Sequence, residues 1–136
     1  MASDQRAVHA RPPLGQAFAE VPDAELDVLA GAMSEIEVDT GTKVVTVDTY
    51  GSGIYLIEWG EAEVVAGNAM PPAEVLGPGD VFGEIALLLT GERTATVVAR
   101  TPMRLLALAD VEFDRIRSRV PGFERALRRL AAQRVA

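Results

Sequence analysis

Two charged residues stand inside an apolar stretch of the chain and are its strongest candidates for chemistry. Residues 81–97 read VFGEIALLLTGERTATV, with Glu84 near the start and Arg93 nine positions later. A charge among apolar residues is costly unless a partner compensates it. Either the two side chains form a structural ion pair at a loop, or they hold a ligand that carries complementary groups.

The residues around this pair predict an anion site. Gly83 frees the backbone, and EIALLL favours about one helical turn before Thr90 and Gly91 end it. The start of such a turn presents free N–H groups to an anion, and the Arg93 guanidinium can bind a phosphate bidentately. A carboxylate repels phosphate and only accepts hydrogen bonds, so we expect Glu84 to face a sugar hydroxyl. Phosphate and sugar together indicate a nucleotide.

The rest of the chain predicts an α+β fold that positions this segment. Between residues 36 and 109, short apolar runs alternate with turns such as TYGSG, GNAMPP and GPGD, which is typical of an antiparallel sandwich or barrel. Residues 21–33 have helical spacing before the strands, and two helical stretches follow them. Residues 1–13 are polar and indicate a leader or linker. The residues expected to face inward from the three helices are Leu26, Leu29, Ala30, Met33, Val111, Phe113, Ile116, Val120, Phe123, Leu127, Leu130 and Ala131.

Composition narrows the class of function. The chain has 136 residues, 49% of them hydrophobic and 24% charged, as expected for one globular domain. It has no cysteine and one histidine, His9, which weighs against a cysteine or histidine nucleophile system, a zinc site or a cupin-like metal enzyme. We therefore expect no catalytic residues, no metal and no cofactor.

Charge and hydropathy bear on partners and location. Residues 1–99 carry 4 basic and 16 acidic side chains, a net charge of −12, whereas residues 100–136 carry 9 basic and 4 acidic ones, a net charge of +5. The acidic body argues against nucleic-acid binding, and we expect the arginines of the last helix to form mainly a solvated face. No apolar run approaches the roughly 20 residues that span a bilayer. A cytoplasmic protein, or the cytoplasmic domain of a larger one, is expected.

The segment FGEIAL, followed after five residues by RTATV, closely resembles the phosphate-binding cassette of the cyclic nucleotide-binding domain family. The spacing from Glu84 to Arg93 agrees with the family pattern without a gap. PDAELDVLA, GIYLIEWGEAEVV, LGPGDVFGE and LLALADVEFDRI are similar to the flanking elements, so the resemblance covers about residues 14–136. It implies a regulatory, non-catalytic domain: an antiparallel β-roll (a double-stranded jelly-roll-like barrel) with an N-terminal helix and two C-terminal helices.

The resemblance also implies a role for each cassette residue. Arg93 would pair with the cyclic phosphate, helped by backbone N–H groups of Ala86 and of Thr94 or Ala95. Glu84, with Gly83, would bind the ribose 2′-hydroxyl. The ligand-binding residues expected in this way are Gly83, Glu84, Ile85, Ala86, Arg93, Thr94 and Ala95.

The resemblance further implies that the last helix, residues 122–136, acts as a lid, and we expect its hinge at Pro121–Gly122. Leu127, Leu130 or Arg128 would cover the base, although plain helix packing explains the two leucines equally well. The expected ligand is cAMP in preference to cGMP, and the expected further partner is an effector domain or a second copy of the chain. The alternative is a β-roll that has lost its ligand and serves as an interaction module.

Overall fold

Two four-stranded antiparallel sheets lie against each other, and helices cover the outer face of one of them. The computed structural model describes residues 10–46, 53–65, 74–84, 87–88 and 95–135. The helices are α1 (Arg11–Ala17), α2 (Asp23–Ala32), α3 (Asp110–Ile116) and α4 (Pro121–Val135), with a 3₁₀ turn at Arg117–Arg119. The strands are β1 (Ser34–Val38), β2 (Lys43–Val45), β3 (Gly53–Trp59), β4 (Ala62–Val65), β5 (Glu74–Leu76), β6 (Val81–Phe82), β7 (Thr96–Ala99) and β8 (Met103–Ala109).

The strand order confirms the predicted β-roll with flanking helices. The first sheet has the order β1-β8-β3-β6, and the second sheet has the order β2-β7-β4-β5. The two sheets form a roll and do not close into a continuous barrel. All pairings are antiparallel, as the short strands separated by turn residues predicted.

Strands β3 and β8 form the centre of the first sheet and are buried on both faces. Successive side chains of a strand point to opposite faces, so Ile54 and Leu56 pack towards the helices while Ile57 packs towards the second sheet. Leu106 and Leu105 of β8 divide between the two faces in the same way. Double-sided burial explains why GIYLI and LLALA are continuous apolar runs without polar alternation.

The helices bury their apolar faces in a helix-side core, which lies between them and the first sheet. Leu26 and Leu29 of α2, Phe113 of α3, and Phe123 and Leu127 of α4 meet there. The Phe123 ring lies edge-on to the rings of Phe18 and Phe113, with centroids 5.0 and 6.3 Å away. Such aromatic pairs stabilise a core beyond the area they bury. The inward face predicted for the last helix is therefore confirmed at these two positions.

Helix α1 was not predicted from the sequence. It begins at Arg11, within the stretch expected to be a leader or linker, and Ala10 and Leu14 are buried in the helix-side core. Arg11 also binds Asp23 and Asp27 of α2, each over 2.8 Å. An ordered helix thus covers residues 11–13.

The inward position predicted for Val111 is wrong, because its side chain is 71% exposed. Helix α3 begins at Asp110 and turns Phe113 and Ile116 inward. Each residue advances about 100° around a helix, so Val111 lies about 200° from Phe113 and faces solvent. Val120 is buried as expected, but it lies after α3, just before α4 begins at Pro121.

Candidate functional site

The segment from Gly83 to Ala95 joins the two sheets. Strand β6 ends at Phe82 on the edge of the first sheet, where it pairs with Tyr55 of β3. Strand β7 begins at Thr96 and lies inside the second sheet between β2 and β4. The Phe82 and Tyr55 rings stack with centroids 5.1 Å apart. Both ends of the predicted cassette are therefore anchored in β-ladders.

The first residues of the segment have the local geometry that the sequence predicted. Gly83 has φ of +95°, a backbone conformation that glycine adopts readily and other residues rarely do. The Leu87 N–H group then donates to the Gly83 carbonyl oxygen over 3.2 Å, which closes a helical turn beginning at Glu84. The lead-in turn before β6 is also formed, because Gly77 N–H donates to Asp80 Oδ2 over 2.8 Å.

The buried polar side chains lie at the two ends of this segment. Within the described part of the chain, only two polar or charged residues are buried: Glu84, 1% exposed, and Thr96, 9% exposed. They stand at the two ends of the predicted cassette. Burial of a polar group costs free energy unless it is hydrogen-bonded, so such residues mark places where a structural or ligand partner is provided. Sequence reasoning singled out Glu84 and missed Thr96.

The other predicted ligand-binding residues divide into two groups. Ala95 is half-buried directly before β7. Ile85, Ala86, Arg93 and Thr94 lie outside the described residues. The roles assigned to these residues and to Glu84 stay predictions.

A groove of about 230 Å³ lies close to this segment, on the helix side of β6. Val81, Gly79 and Asp80 line one wall, and Leu130 and Arg129 of α4 line another. The C-terminal end of α1 and the residues after it complete the lining, with Phe18 and Glu20 among them. The groove thus separates α4 from the turn that leads into the predicted cassette.

Comparison of the sequence with models of known protein families shows to which family this chain belongs. The family model described as "Cyclic nucleotide-binding domain" matches residues 35–119, which is more than half of the chain and includes the whole segment from Gly83 to Ala95. The chain belongs to the cyclic nucleotide-binding domain family.

Curated relatives of this cyclic nucleotide-binding domain are regulatory subunits. The cAMP-dependent protein kinase regulatory subunit of Yarrowia lipolytica is 39% identical over 92 residues, and that of Pyricularia oryzae is 35% identical over 92 residues. Each match covers 68% of this chain and 24% of the relative. The chain therefore aligns with about a quarter of the length of these relatives.

Solved structures share the fold. The cAMP-bound PfPKA-R fragment 141–441 is 28% identical, with a TM-score of 0.69 over 84% of this chain and 42% of that one. The regulatory domain of Toxoplasma gondii PKA with cAMP has a TM-score of 0.77 at 22% identity, covering 98% of this chain and 51% of that one. A cyclic nucleotide-binding domain from Methylobacillus flagellatus has a TM-score of 0.80 at 18% identity, covering 93% and 77%. The last two show the fold alone.

Helix α4 of this cyclic nucleotide-binding domain carries the three candidate lid residues. Leu127 is fully buried in the helix-side core, and Leu130 is half-buried and lines the groove beside Val81. Arg128 lies on the exposed side, where its Nη2 donates to Glu124 over 2.8 Å. In this position of α4, Leu127 serves helix packing.

Several arginines in and beside α4 form ion pairs, whereas the sequence predicted mainly a solvated face. Glu124 accepts two hydrogen bonds from Arg117, over 2.8 and 2.7 Å, and two from Arg128, over 3.2 and 2.8 Å. The pairing with Arg117, and then with Arg128, lowers the pKa of Glu124 to about 2. Arg129 Nη2 donates to Glu20 Oε2 over 2.9 Å, from α4 to the segment between α1 and α2. The Glu20–Arg129 contact joins residues 109 positions apart in sequence, which the local pattern of charges did not indicate.

The described residues contain no cluster of three or more histidine, cysteine, aspartate or glutamate side chains able to hold a metal ion. Among the same residues, no helix combines the length and the apolar character needed to cross a bilayer.

Proposed function

We propose that this domain binds cAMP through the segment from Gly83 to Ala95 and passes the binding on by a movement of α4. In this proposal Arg93 binds the cyclic phosphate, and Glu84 accepts a hydrogen bond from the ribose 2′-hydroxyl. Backbone N–H groups of Ala86 and of Thr94 or Ala95 complete the phosphate site. The domain is regulatory, and it carries no catalytic residues.

The observation that carries the proposal is the burial of Glu84 directly after a glycine of positive φ, within the segment that matches the family model. A buried carboxylate accepts hydrogen bonds and cannot donate them, so a ribose hydroxyl is a chemically suitable partner. The names of the curated relatives and the cAMP in the PfPKA-R fragment support cAMP over cGMP.

A movement of α4 is part of the proposal because of where its candidate lid residues lie. Leu127 is buried in the helix-side core and would have to leave it to cover a base. The hinge is proposed at Pro121–Gly122, where α4 begins. A ligand shifts such an equilibrium only by its differential affinity for the two positions of the helix. We predict that an effector domain or a second copy of the chain receives this movement. The domain boundary at residue 14 also stays a prediction.

Titration calorimetry with cAMP and with cGMP tests the binding proposal directly. We expect the wild type to bind cAMP more tightly than cGMP, and Arg93→Ala to weaken cAMP binding by at least about 100-fold, because a charge-assisted bidentate contact is lost. Arg100→Ala is the matched control: Arg100 is exposed at the end of β7 and pairs with Glu63 over 3.3 Å. This control is expected to bind cAMP like the wild type.

Three results would count against the proposal. Absence of heat and of thermal stabilisation with both nucleotides would refute ligand binding and favour the interaction module. Unimpaired binding by Arg93→Ala would refute the phosphate role of Arg93. Tighter binding of cGMP than of cAMP would refute the proposed preference.

A further inference from the structure

A side chain of α2 caps the first turn of α4. The Phe123 N–H group donates to Glu25 Oε1 over 2.9 Å in a partly buried position. The first N–H groups of a helix have no acceptor within it, and negative charge near them is favourable. Gly122 permits the close approach, because a Cβ there would lie 3.1 Å from both Glu25 oxygens and 3.2 Å from Pro22 Cδ. A residue 98 positions away in sequence thus fixes the start of α4.

A second polar contact holds α4 further along its length. Arg129 lies six residues after Phe123 and binds Glu20 over 2.9 Å. Glu20 stands between α1 and α2, so both contacts connect α4 to the N-terminal helices. We call the Glu25–Phe123 and Glu20–Arg129 contacts together the latch.

The helix-side core connects α4 to the predicted cassette. Leu87 and Leu88, in the helical turn that begins at Glu84, pack against this core, and so does Leu130 of α4. Phe123 and Leu127 are buried members of the same core. Protein interiors are close-packed, so a change in the position of α4 is felt at Leu87 and Leu88.

We propose that the latch opposes ligand binding by holding α4 in the position where Leu127 is buried. This inference rests on the proposed function and adds its regulation. The lid position requires Leu127 to leave the helix-side core, and leaving it requires both latch contacts to break or rearrange. The apparent dissociation constant equals the intrinsic one divided by the fraction of molecules with α4 free to close. A weaker latch raises that fraction and tightens binding.

Calorimetry with cAMP on the whole chain tests the latch through Glu25→Ala and Arg129→Ala. We expect each to tighten cAMP binding about three- to tenfold, because each removes a polar contact made only in the latched position. Glu25→Gln keeps an oxygen acceptor for the Phe123 N–H group. The change in the logarithm of its dissociation constant is therefore expected to be less than half of the change caused by Glu25→Ala. Glu74→Ala, an exposed change on edge strand β5, is the surface control.

Amide hydrogen exchange without ligand provides a readout that is independent of binding. Glu25→Ala is expected to lose protection in the first turn of α4 while β3 and β8 keep theirs. The double variant that exchanges Glu20 and Arg129 is expected to restore both the exchange pattern and the wild-type affinity, because the ion pair can form in the reverse sense.

The outcomes separate the latch from the proposed function. Unchanged or weaker cAMP binding by a folded Glu25→Ala variant overturns the latch, even when Arg93→Ala behaves as proposed. If the wild type binds neither nucleotide, the proposed function fails. In that case, unchanged amide hydrogen exchange in α4 of Glu25→Ala overturns the latch as a structural device as well. Tighter binding in Glu25→Ala and Arg129→Ala, but not in Glu74→Ala, supports it.

Discussion

Replacement of Glu124 by glutamine should lower the stability of the domain in a strongly pH-dependent way. Glu124 lies in the first turn of α4 and accepts a bidentate pair of hydrogen bonds from Arg117 and two further hydrogen bonds from Arg128. These guanidinium groups lower the pKa of Glu124 from its ordinary value of 4.5 to about 2. Glutamine keeps the size of the side chain and removes its charge.

The size of the effect follows from this pKa difference. Each pKa unit corresponds to about 1.4 kcal/mol, so a decrease of the pKa from 4.5 to about 2 corresponds to an upper bound of ~3.5 kcal/mol. The side chains of Arg117 and Arg128 are 44% and 49% exposed, and solvent screens pairs of this kind. We therefore expect Glu124→Gln to lose about 1–2 kcal/mol of unfolding free energy at pH 7.

The sign of the pH dependence is fixed by the direction of the shift. A carboxyl group whose pKa is lowered in the folded state contributes stability that is fully present above its unfolded pKa and is lost as the pH falls through the folded one. The wild type should therefore be more stable than Glu124→Gln at pH 7, and the difference should shrink below pH 4.5 and vanish near pH 2. Urea unfolding of both proteins at pH 7, 4.5, 3.5 and 2.5 measures it.

Asp114→Asn is the matched control, since Asp114 is exposed and lies 3.9 Å from the same Arg117. Its effect should stay below about 0.5 kcal/mol at every pH. Equal stability of the wild type and Glu124→Gln at pH 7 would refute the argument. So would a difference between them that is the same at pH 7 and at pH 2.5.

Two further predictions concern the core and the ligand. Leu127→Ala removes a fully buried side chain from the helix-side core and should lower the free energy of unfolding, measured in urea, by about 2–5 kcal/mol. Arg128→Ala, on the exposed side of α4, should lower it by less than about 1 kcal/mol. Equal losses in the two variants would contradict the packing role of Leu127. If Glu84 accepts the ribose 2′-hydroxyl, 2′-deoxy-cAMP should bind the wild type about tenfold more weakly than cAMP, and Glu84→Ala should bind both ligands equally in calorimetry. Equal binding of the two ligands by the wild type would exclude this role of Glu84.

The features that could be predicted from the sequence are those that depend on local residue patterns. The turn GPGD, the break at Gly83 and the helical turn beginning at Glu84 depend on residues within a few positions of each other, and all three are present. The short apolar runs GIYLIEWG and RLLALA predicted strands for the same reason, and β3 and β8 lie there. Arg93 was predicted on the same basis but lies outside the described residues.

The features that were missed depend on contacts between distant residues or on an ambiguous local signal. The run Arg11-Pro12-Pro13 suggested a linker, yet proline is compatible with the first turn of a helix, whose N–H groups need no helical partner. The cap by Glu25 joins α2 to α4 over 98 positions, so no sequence window contains both partners. The exposure of Val111 follows from the helical period alone, because Val111 and Phe113 lie about 200° apart in any helix that contains both and cannot both face inward.

The pairing of β1 with β8 places the earliest strand of the domain beside the latest one. Ser34 lies opposite Ala107, so the first sheet forms only by closing a loop of about seventy residues. Contacts this distant in sequence slow folding, and we expect refolding on the millisecond-to-second scale. During synthesis, β1 cannot pair with β8 until Met103 and the residues after it have been made. The apolar faces of α2 and β3, which are made earlier, stay uncovered until β8, α3 and α4 follow. Nascent chains of this domain therefore expose the apolar faces of α2 and β3 until the last strand and the last two helices are in place.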